Sequence, residues 1–455
     1  AGAAKATPRA LAARRRALAR SGRPLALRIL SATDLDEAFD DEPAPADAAG
    51  LPGFGAERGP ARLPAIDMHS SQLPQMVEGG LLGEVDLAVV EAVDVVRDGR
   101  VYLTTSGGPS PSLLRRAKRV VVEINHCQSC RLVEIHDISE PHQTPHRLHL
   151  PIEHPLDRIG APYTAIDPKK IVGVVETEEP DNVPDYAPAD EISDRIASHI
   201  ARFLLREMAA GRIPPEFLPL QAGAGSLVNA IVGRLGQFAG LPTLQVYGDV
   251  VNDAMIDLME GRRLRGASAT SLMLSPHRLR QVFANMDFFG PRLLLRPQDV
   301  SNDHAVVQRL GIIAINSVVE ADLFSCANAT RPRHGRPDAA PGSSDFVRNA
   351  YLSFLVTPSL GADGRTSAIV PMVSHVDHSG HAVQILVTEH GLADLRGLDY
   401  QARARAIIDR CAHPALRDRL SECLSTVANR RRAQPWDAGV ELDEAPASAA
   451  HPAGP

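Results

Sequence analysis

Leu241–Gly261 reads LPTLQVYGDVVNDAMIDLMEG. An apolar run of strand length, LPTLQVY, stops at Gly248-Asp249, and a pattern of helical period, VVNDAMIDLMEG, follows. Just upstream the same order recurs. A strand-like run FLPLQ (217–221) leads into the glycine turn Gly223-Ala224-Gly225 and then the helical stretch SLVNAIVGRL. Two strand–turn–helix units in succession describe an α/β sheet, where ligands bind beyond the carboxyl ends of the strands. A backbone cradle and a carboxylate would then share one rim.

Each feature also has a plain structural explanation. Backbone N–H groups at Gly223–Ser226 suit a phosphate or an oxyanion at a helix N-terminus. A tight turn with Ser226 as N-cap explains the same residues, and a lone GxG favours that explanation. Asp249 fits a nucleophile or base, but from spacing alone an N-cap of the following helix is favoured.

Outward from this core, the spacing predicts a helix over 5–20 and a strand over Leu25–Leu30. Residues 34–63 are acidic and rich in Pro, Ala and Gly, which predicts a long loop. Strands are expected at VDLAVVEA, VYLTT and RVVVEIN, with a turn SGGPS and a helix PSLLRRAK among them, and another strand over Lys170–Val175. Residues 189–211 carry helix periodicity with Asp190 as N-cap. Pro214-Pro215 marks the domain boundary, giving one α/β domain over 1–212 and a second over 213–429. The second has strands near 217–220, 243–247, 292–296, 311–315, 352–357, 366–371 and 383–388, and closing helices over 401–411 and 414–427. The tail over 430–455 is expected to be disordered.

The 455 residues are enough for two to three domains. A net charge of −7 argues against nucleic-acid binding. Only four of the 48 basic residues are lysines, so 44 are arginines, and a single Arg carries little weight as an anion ligand. No apolar stretch approaches membrane-spanning length, and the Arg-rich start has no apolar segment of a secretory signal. Five scattered cysteines suit a reducing cytoplasm better than a disulfide framework. The chain opens on Ala1, which reads as a trimmed start.

Two clusters resemble metal sites. His126–Cys130 (HCQSC) with His136 offers thiols and imidazoles, but no second Cys pair completes four ligands, so no zinc is expected. His375-Val376-Asp377-His378 with His381 is explained as well by a polar turn. Glu320 and Glu389 each stand beside an apolar run, where a carboxylate is either functional or paired with an arginine.

Long runs then accumulate: LPLQAGAGSLVNAI, ASATSLMLSP, LLLRPQDVSN, RLGIIAIN, SAIVPMVSHVDH and VTEHGLADLRGLDYQARARAIIDRCAHP. Together they resemble the acetyl-CoA hydrolase/transferase family over about residues 1–427, and within it the succinyl-CoA:acetate CoA-transferases. The resemblance implies two open α/β domains of similar build with the site at their interface. It implies coenzyme A as substrate and no tightly bound cofactor. The expected partners are an acyl-CoA, a small carboxylate and a second copy of the chain in a dimer, with no nucleic acid or membrane. It also implies a mechanism in which a glutamate attacks the thioester, an acyl anhydride forms, and CoA thiolate returns to give an enzyme thioester.

Carried over residue by residue, the CoA cradle falls on Gly223, Ala224, Gly225, Ser226 and Leu227, with further CoA contacts at Asn302, Val319 and Gly342 and a second active-site acid at Glu389. The nucleophile's position holds Asp249 in place of glutamate. In AAPGSSDF, Ala339 and Pro341 replace two family glycines, and proline has no N–H to offer. A family lysine falls at Ala362 and an arginine at Asn182, and the family's opening strand has no counterpart. Aspartate sets its carboxylate back by about 1 Å, a displacement of a kind that costs about 100-fold in rate. Three functions remain open from the sequence: a weakened transferase, an acyl-CoA hydrolase whose looser site admits water, and a non-catalytic CoA-binding relative.

Overall fold

The computed structural model describes residues 1–23, 25, 27, 29–31, 49–50, 66, 68–140, 147–331 and 342–430. The first part of the chain forms α1 (Ala6–Arg20), β1 (Leu30–Ser31), β2 (Ala49–Gly50), α2 (Gln72–Glu78), β3 (Leu87–Val95), β4 (Arg100–Leu103), α3 (Ser110–Arg116), β5 (Arg119–Asn125), β6 (Thr164–Ala165) and β7 (Ile171–Thr177). β3 to β7 make a five-stranded sheet in the order β6-β4-β3-β5-β7, with β3, β5 and β7 parallel. RVVVEIN is β5 as the alternation predicts. The expected loop over 34–63 and the tail from 431 lie outside the described residues, apart from β2.

α1 starts where it does because β5 supplies its cap. The buried Glu123 carboxylate accepts the backbone N–H groups of Lys5 (2.8 Å), Ala6 (3.0 Å) and Thr7 (2.6 Å). A charged acceptor satisfies orphan donors and complements the helix dipole. The outer edge of the sheet is β7, where Val172, Val174 and Val175 are exposed.

α4 (Glu191–Ala209) follows, capped by Asp190 and Ser193 in a reciprocal box. Its buried face, including Ile196, Ile200 and Leu204, joins the core of the sheet that comes after it. That sheet is built from β8 (Leu220–Ala222), α5 (Ser226–Gly236), β9 (Leu244–Tyr247), β10 (Val250–Val251), α6 (Asp253–Glu260), β11 (Leu264–Ala269), β12 (Ser271–Leu272), α7 (Pro276–Ala284), α8 (Met286–Phe289), β13 (Leu293–Leu295), α9 (Gln298–Ser301), α10 (His304–Leu310) and β14 (Ile313–Ser317). β15 (Glu320–Asp322), β16 (Ala327–Asn328), α11 (Ser343–Val347), β17 (Leu352–Val356), β18 (Ile369–Val370), β19 (Ile385–Thr388), β20 (Gly391–Asp394), α12 (Tyr400–Cys411) and α13 (Arg417–Arg430) complete the chain. Eight strands run in the order β13-β11-β9-β8-β14-β17-β19-β20, parallel except for β20. β14 is buried at every position, as a strand covered on both faces requires.

The two parts of the chain interlock around β12 and β13. His136 bridges to Leu295 in β13, Gly108 to Pro297 just beyond it and Ser106 to Ser271 in β12. The fully buried Arg296 ties them further: it donates to Ser268 Oγ (2.8 Å), to the Asp137 carboxylate and to the Asp157 carbonyl. Gly107 has no room for a side chain there, since a Cβ would come within 2.5 Å of the Arg296 carbonyl oxygen. Among the described residues, no helix is long and apolar enough to cross a membrane.

Candidate active site

The carboxyl ends of the parallel strands open onto one rim. After β8 the chain turns at Gly223–Gly225 into α5. Gly225 has φ 111°, a conformation that favours glycine, and a Cβ on Gly223 would stand 2.7 Å from Asn316 Oδ1. Gly225, not Ser226, is the N-cap of α5. Ser226 is already helical, and its hydroxyl accepts the N–H of Ala187 at 3.0 Å. The expectation of a serine cap fails because the left-handed glycine makes the turn one residue earlier. Ala224, Ser226 and Leu227 are half-buried beside it.

After β9, Gly248 N–H bonds the Ser268 carbonyl (2.9 Å), and the Asp249 carbonyl accepts the N–H groups of Thr270 (2.9 Å) and Ser271 (3.2 Å). The chain continues through β10, and Asn252 caps α6, its Oδ1 accepting Met255 N–H. Asp249 therefore is not the cap that spacing alone favours. Two strand residues and a better-placed asparagine stand between it and the helix. Its carboxylate is buried against Gly342, where a Cβ would lie 2.6 Å from Oδ2. Gly223, Ala224, Asp249, Asn316, Gly342 and Ser343 line a small pocket. Burial pushes the Asp249 carboxyl up to about 6, and the nearby Asp345 charge adds to the effect; the side chains of Thr270 and Asn302 oppose it.

Beneath the pocket, β8 and β14 are joined by a reciprocal amide pair. Gln221 Nε2 donates to Asn316 Oδ1 (3.1 Å), and Asn316 Nδ2 donates to Gln221 Oε1 (2.8 Å). On the far wall, Ser343 Oγ lies 3.1 Å from Nε2 of the buried His378. Burial holds that imidazole down at about 4, so it is neutral at ordinary pH. Asn302, fully buried at the end of α9, donates its Nδ2 to Asp345 Oδ2 at 3.0 Å.

Glu389 stands just past β19. Its carboxylate accepts the Ser359 N–H (2.9 Å) and the Ser359 hydroxyl, with His390 Nε2 at 3.2 Å. Four strand-to-strand steps separate β9 from β19. At about 4.8 Å per step that is about 19 Å, so Glu389 shares the rim but does not line the pocket around Asp249. Half-buried Val319 follows β14, its N–H bonded to the Asn328 carbonyl at 2.8 Å. Asn182 and Ala362 are both exposed. Ala339 and Pro341 lie outside the described residues.

The two metal-like clusters are dispersed. Cys127 and Cys130 are exposed free thiols, while His136 is buried with Nε2 on the Thr104 carbonyl (2.7 Å) and is held down at about 4 by burial. Asp377 accepts the N–H groups of Ala329 (2.6 Å) and Thr330 (2.9 Å), closing a turn. Among the described residues, no group of three or more His, Cys, Asp or Glu is arranged to hold a metal ion. Glu320 is buried and accepts from Asn328 Nδ2 (3.1 Å) and from the Ser374 N–H (2.9 Å) and hydroxyl (2.7 Å). Sequence reasoning missed Asp345, Ser343 and His378 as neighbours of Asp249. Their local signals are slight: Ser343 and Asp345 sit in the AAPGSSDF stretch, and His378 in SHVDH and the polar turn that resembles a metal site.

Comparison with known proteins agrees with this architecture. The model of the acetyl-CoA hydrolase/transferase N-terminal domain matches residues 57–176, and that of the C-terminal domain matches 279–424. The propanoyl-CoA:succinate CoA transferase of Escherichia coli (strain K12) is 42% identical over 432 residues, 93% of this chain and 88% of the relative. An acetyl-CoA hydrolase of Schizosaccharomyces pombe is 39% identical over 379 residues, 81% of this chain and 72% of the relative. Among solved structures, RipA from Yersinia pestis superposes with a TM-score of 0.70 at 22% identity, covering 93% of this chain and 91% of that one; this is a likeness of fold. The chain belongs to the acetyl-CoA hydrolase/transferase family.

Proposed function

We propose that this protein is an acyl-CoA:carboxylate CoA-transferase of the acetyl-CoA and succinyl-CoA class, with Asp249 as its acyl-accepting carboxylate. The observation that carries the reading is the position of Asp249: a buried carboxylate at a strand end, lining one small pocket with the Gly223 turn and Gly342. On this reading Asp249 attacks the thioester carbonyl and CoA thiolate leaves, giving an acyl–aspartyl anhydride. Thiolate then attacks the aspartyl carbonyl, releasing the carboxylate product and leaving an aspartyl-CoA thioester. An incoming carboxylate reverses both steps. Backbone N–H groups of the glycine turn at the start of α5 support the developing oxyanions, and CoA extends along the rim past Asn302 and Val319 toward Glu389. A division of the chain near Pro214-Pro215 is retained in this reading, with the site where the two sheets interlock.

The shorter aspartate makes this a slow enzyme, because a reacting atom set back by about 1 Å loses about 100-fold. Water reaching the anhydride would turn the same site into a hydrolase, the activity that the relative from Schizosaccharomyces pombe is named for. Incubation with succinyl-CoA and acetate, followed by intact mass measurement, separates the outcomes. A CoA-mass adduct on the protein with acetyl-CoA formed supports transfer, free CoA alone supports hydrolysis, and neither product leaves a CoA-binding protein. Asp249→Glu is expected to raise transfer by about two orders of magnitude. Equal trapping of the enzyme thioester by borohydride in wild type and Asp249→Glu would remove the claim that the aspartate is a handicap.

A further inference from the structure

Asp345 lies in the first turn of α11, three residues beyond Gly342, with its side chain fully buried. A buried carboxylate persists only when its oxygens are met by donors, and here three separate stretches meet them. Oδ2 accepts the Ser71 N–H (3.0 Å) and Asn302 Nδ2 (3.0 Å); Oδ1 accepts the Ser71 hydroxyl (2.6 Å) and faces His304 Nε2 at 3.4 Å. Ser71 precedes α2, Asn302 ends α9 and His304 opens α10. An ionised carboxylate only accepts hydrogen bonds, so it dictates which end of the Asn302 amide turns toward it. Nδ2 is committed, and Oδ1 is a buried acceptor with no hydrogen-bond donor among the described residues.

We propose that Asp345 is the positioning residue of this site, holding the Asn302 amide in one orientation beside Asp249 through hydrogen bonds that also tie α2, α9 and α10 together. The inference deepens the reading of Asp249 as the acyl acceptor and rests on it. A second carboxylate close to Asp249 repels its charge, and a cationic His304, 3.4 Å from Asp345 Oδ1, offsets part of that repulsion. The Asp345 carboxylate in turn raises the affinity of His304 for its proton. Other titratable groups stand on the surrounding elements. α2 presents neutral Ser71; α9 presents neutral Asn302 and also carries the buried Asp299, whose carboxyl burial pushes up to about 6; β8 and β14 present the neutral Gln221–Asn316 pair; Thr270 is neutral; His378 behind Ser343 is uncharged, with His69 near it; Asp303 and Arg348 flank His304.

The test is a carboxylate titration of the full chain labelled with ¹³C at aspartate Cγ, followed by NMR between pH 4 and 8. The Asp249 signal is identified by its loss in Asp249→Asn. In wild type its midpoint is expected at about 6. In Asp345→Asn it moves to lower pH, because the like charge is gone. In His304→Gln it moves to higher pH, because the offsetting cation is gone. His304 is exposed, so its variant keeps the test alive if Asp345→Asn does not fold. With succinyl-CoA and acetate, Asp345→Asn should lose about tenfold or more in kcat/KM, the scale of a lost hydrogen bond to a charged group, and its acid limb should follow the NMR midpoint. A midpoint unmoved by both variants, or moved the same way by both, overturns the proposal. An inactive wild type with opposite shifts would overturn the transferase reading while leaving Asp345 as the positioning residue.

Discussion

Replacing Asp249 with asparagine should make the protein more stable, by an amount that grows with pH. The Asp249 carboxyl titrates at about 6 in the folded chain, against 3.8 for an unperturbed aspartate. A folded value above the unfolded one means that the folded state prefers the proton. Stability is therefore full below the unfolded value and is lost as the pH rises through about 6. At 1.36 kcal/mol per tenfold change, the cost of carrying the buried charge at pH 8 is about 3 kcal/mol. At pH 5 the same linkage leaves roughly half of that. Asp249→Asn removes the charge without changing the size of the side chain. Urea titrations followed by circular dichroism at pH 5, 6, 7 and 8 should show the variant gaining about 3 kcal/mol at pH 8 and about half as much at pH 5. A pH-independent difference would refute the reasoning, as would a variant less stable than wild type at pH 8, since either would mean that Asp249 carries its charge without penalty.

The catalytic counterpart is that kcat/KM should fall about tenfold per pH unit below about 6, because only the ionised carboxylate can attack; a flat profile down to pH 5 would exclude Asp249 as the nucleophile. Gly342→Ala places a methyl 2.6 Å from Asp249 Oδ2 and must displace the carboxylate; transfer should drop by about 100-fold with little change in the melting temperature, and unchanged transfer would show that the carboxylate does not need its place against Gly342. Glu123→Ala strips the shared acceptor from the start of α1. It should cost about 2 kcal/mol and expose the first turn of α1 to faster hydrogen exchange, and unaltered exchange at Ala6 and Thr7 would mean that the cap is dispensable.

How far the fold is legible in the sequence depends on which physical signal each element carries. RVVVEIN and the helix over 189–211 carry strong periodicity and read correctly, including the Asp190 cap. β11 does not. It sits inside the eight-stranded sheet with the sequence LRGASA, without a β-branched residue, and its register slips between Leu264 and Ala267. Small residues are needed there because Gly266 packs against Leu156 and the Arg292 carbonyl, where a Cβ would come within 2.6 and 2.8 Å. That requirement lies in the tertiary neighbours and leaves no local trace. α4 is similar: its helical period is plain, but its packing on the larger sheet is not.

The site divides the same way. The glycine turn and Asp249 could be picked out because each ends a strand. The network around them could not: Asp345 meets a serine 274 positions earlier, and Ser343 meets a histidine 35 positions later. Short polar residues in loops have many possible partners, and only the fold chooses among them. Backbone geometry also settles what spacing leaves ambiguous. Asn252 takes the role of helix cap and so frees Asp249 from the structural duty that spacing assigns to it.

The reciprocal amides under the pocket constrain how this site can change over evolutionary time. Loss of either Gln221 or Asn316 strands the other amide in the interior at a cost of about 1–3 kcal/mol, whereas replacing both by apolar residues of similar shape can be nearly neutral. The pair is therefore epistatic: each substitution is harmful alone and tolerable only in company. Gly223 and Gly248 are drawn into the same bargain, because their Cα atoms face Asn316 Oδ1 and the Gln221 stem so closely that a Cβ would approach to 2.7 and 3.1 Å. A lineage drifting away from this floor has to cross an unstable intermediate, so the two glycines and the two amides should persist or disappear together, whatever happens to the acid at position 249.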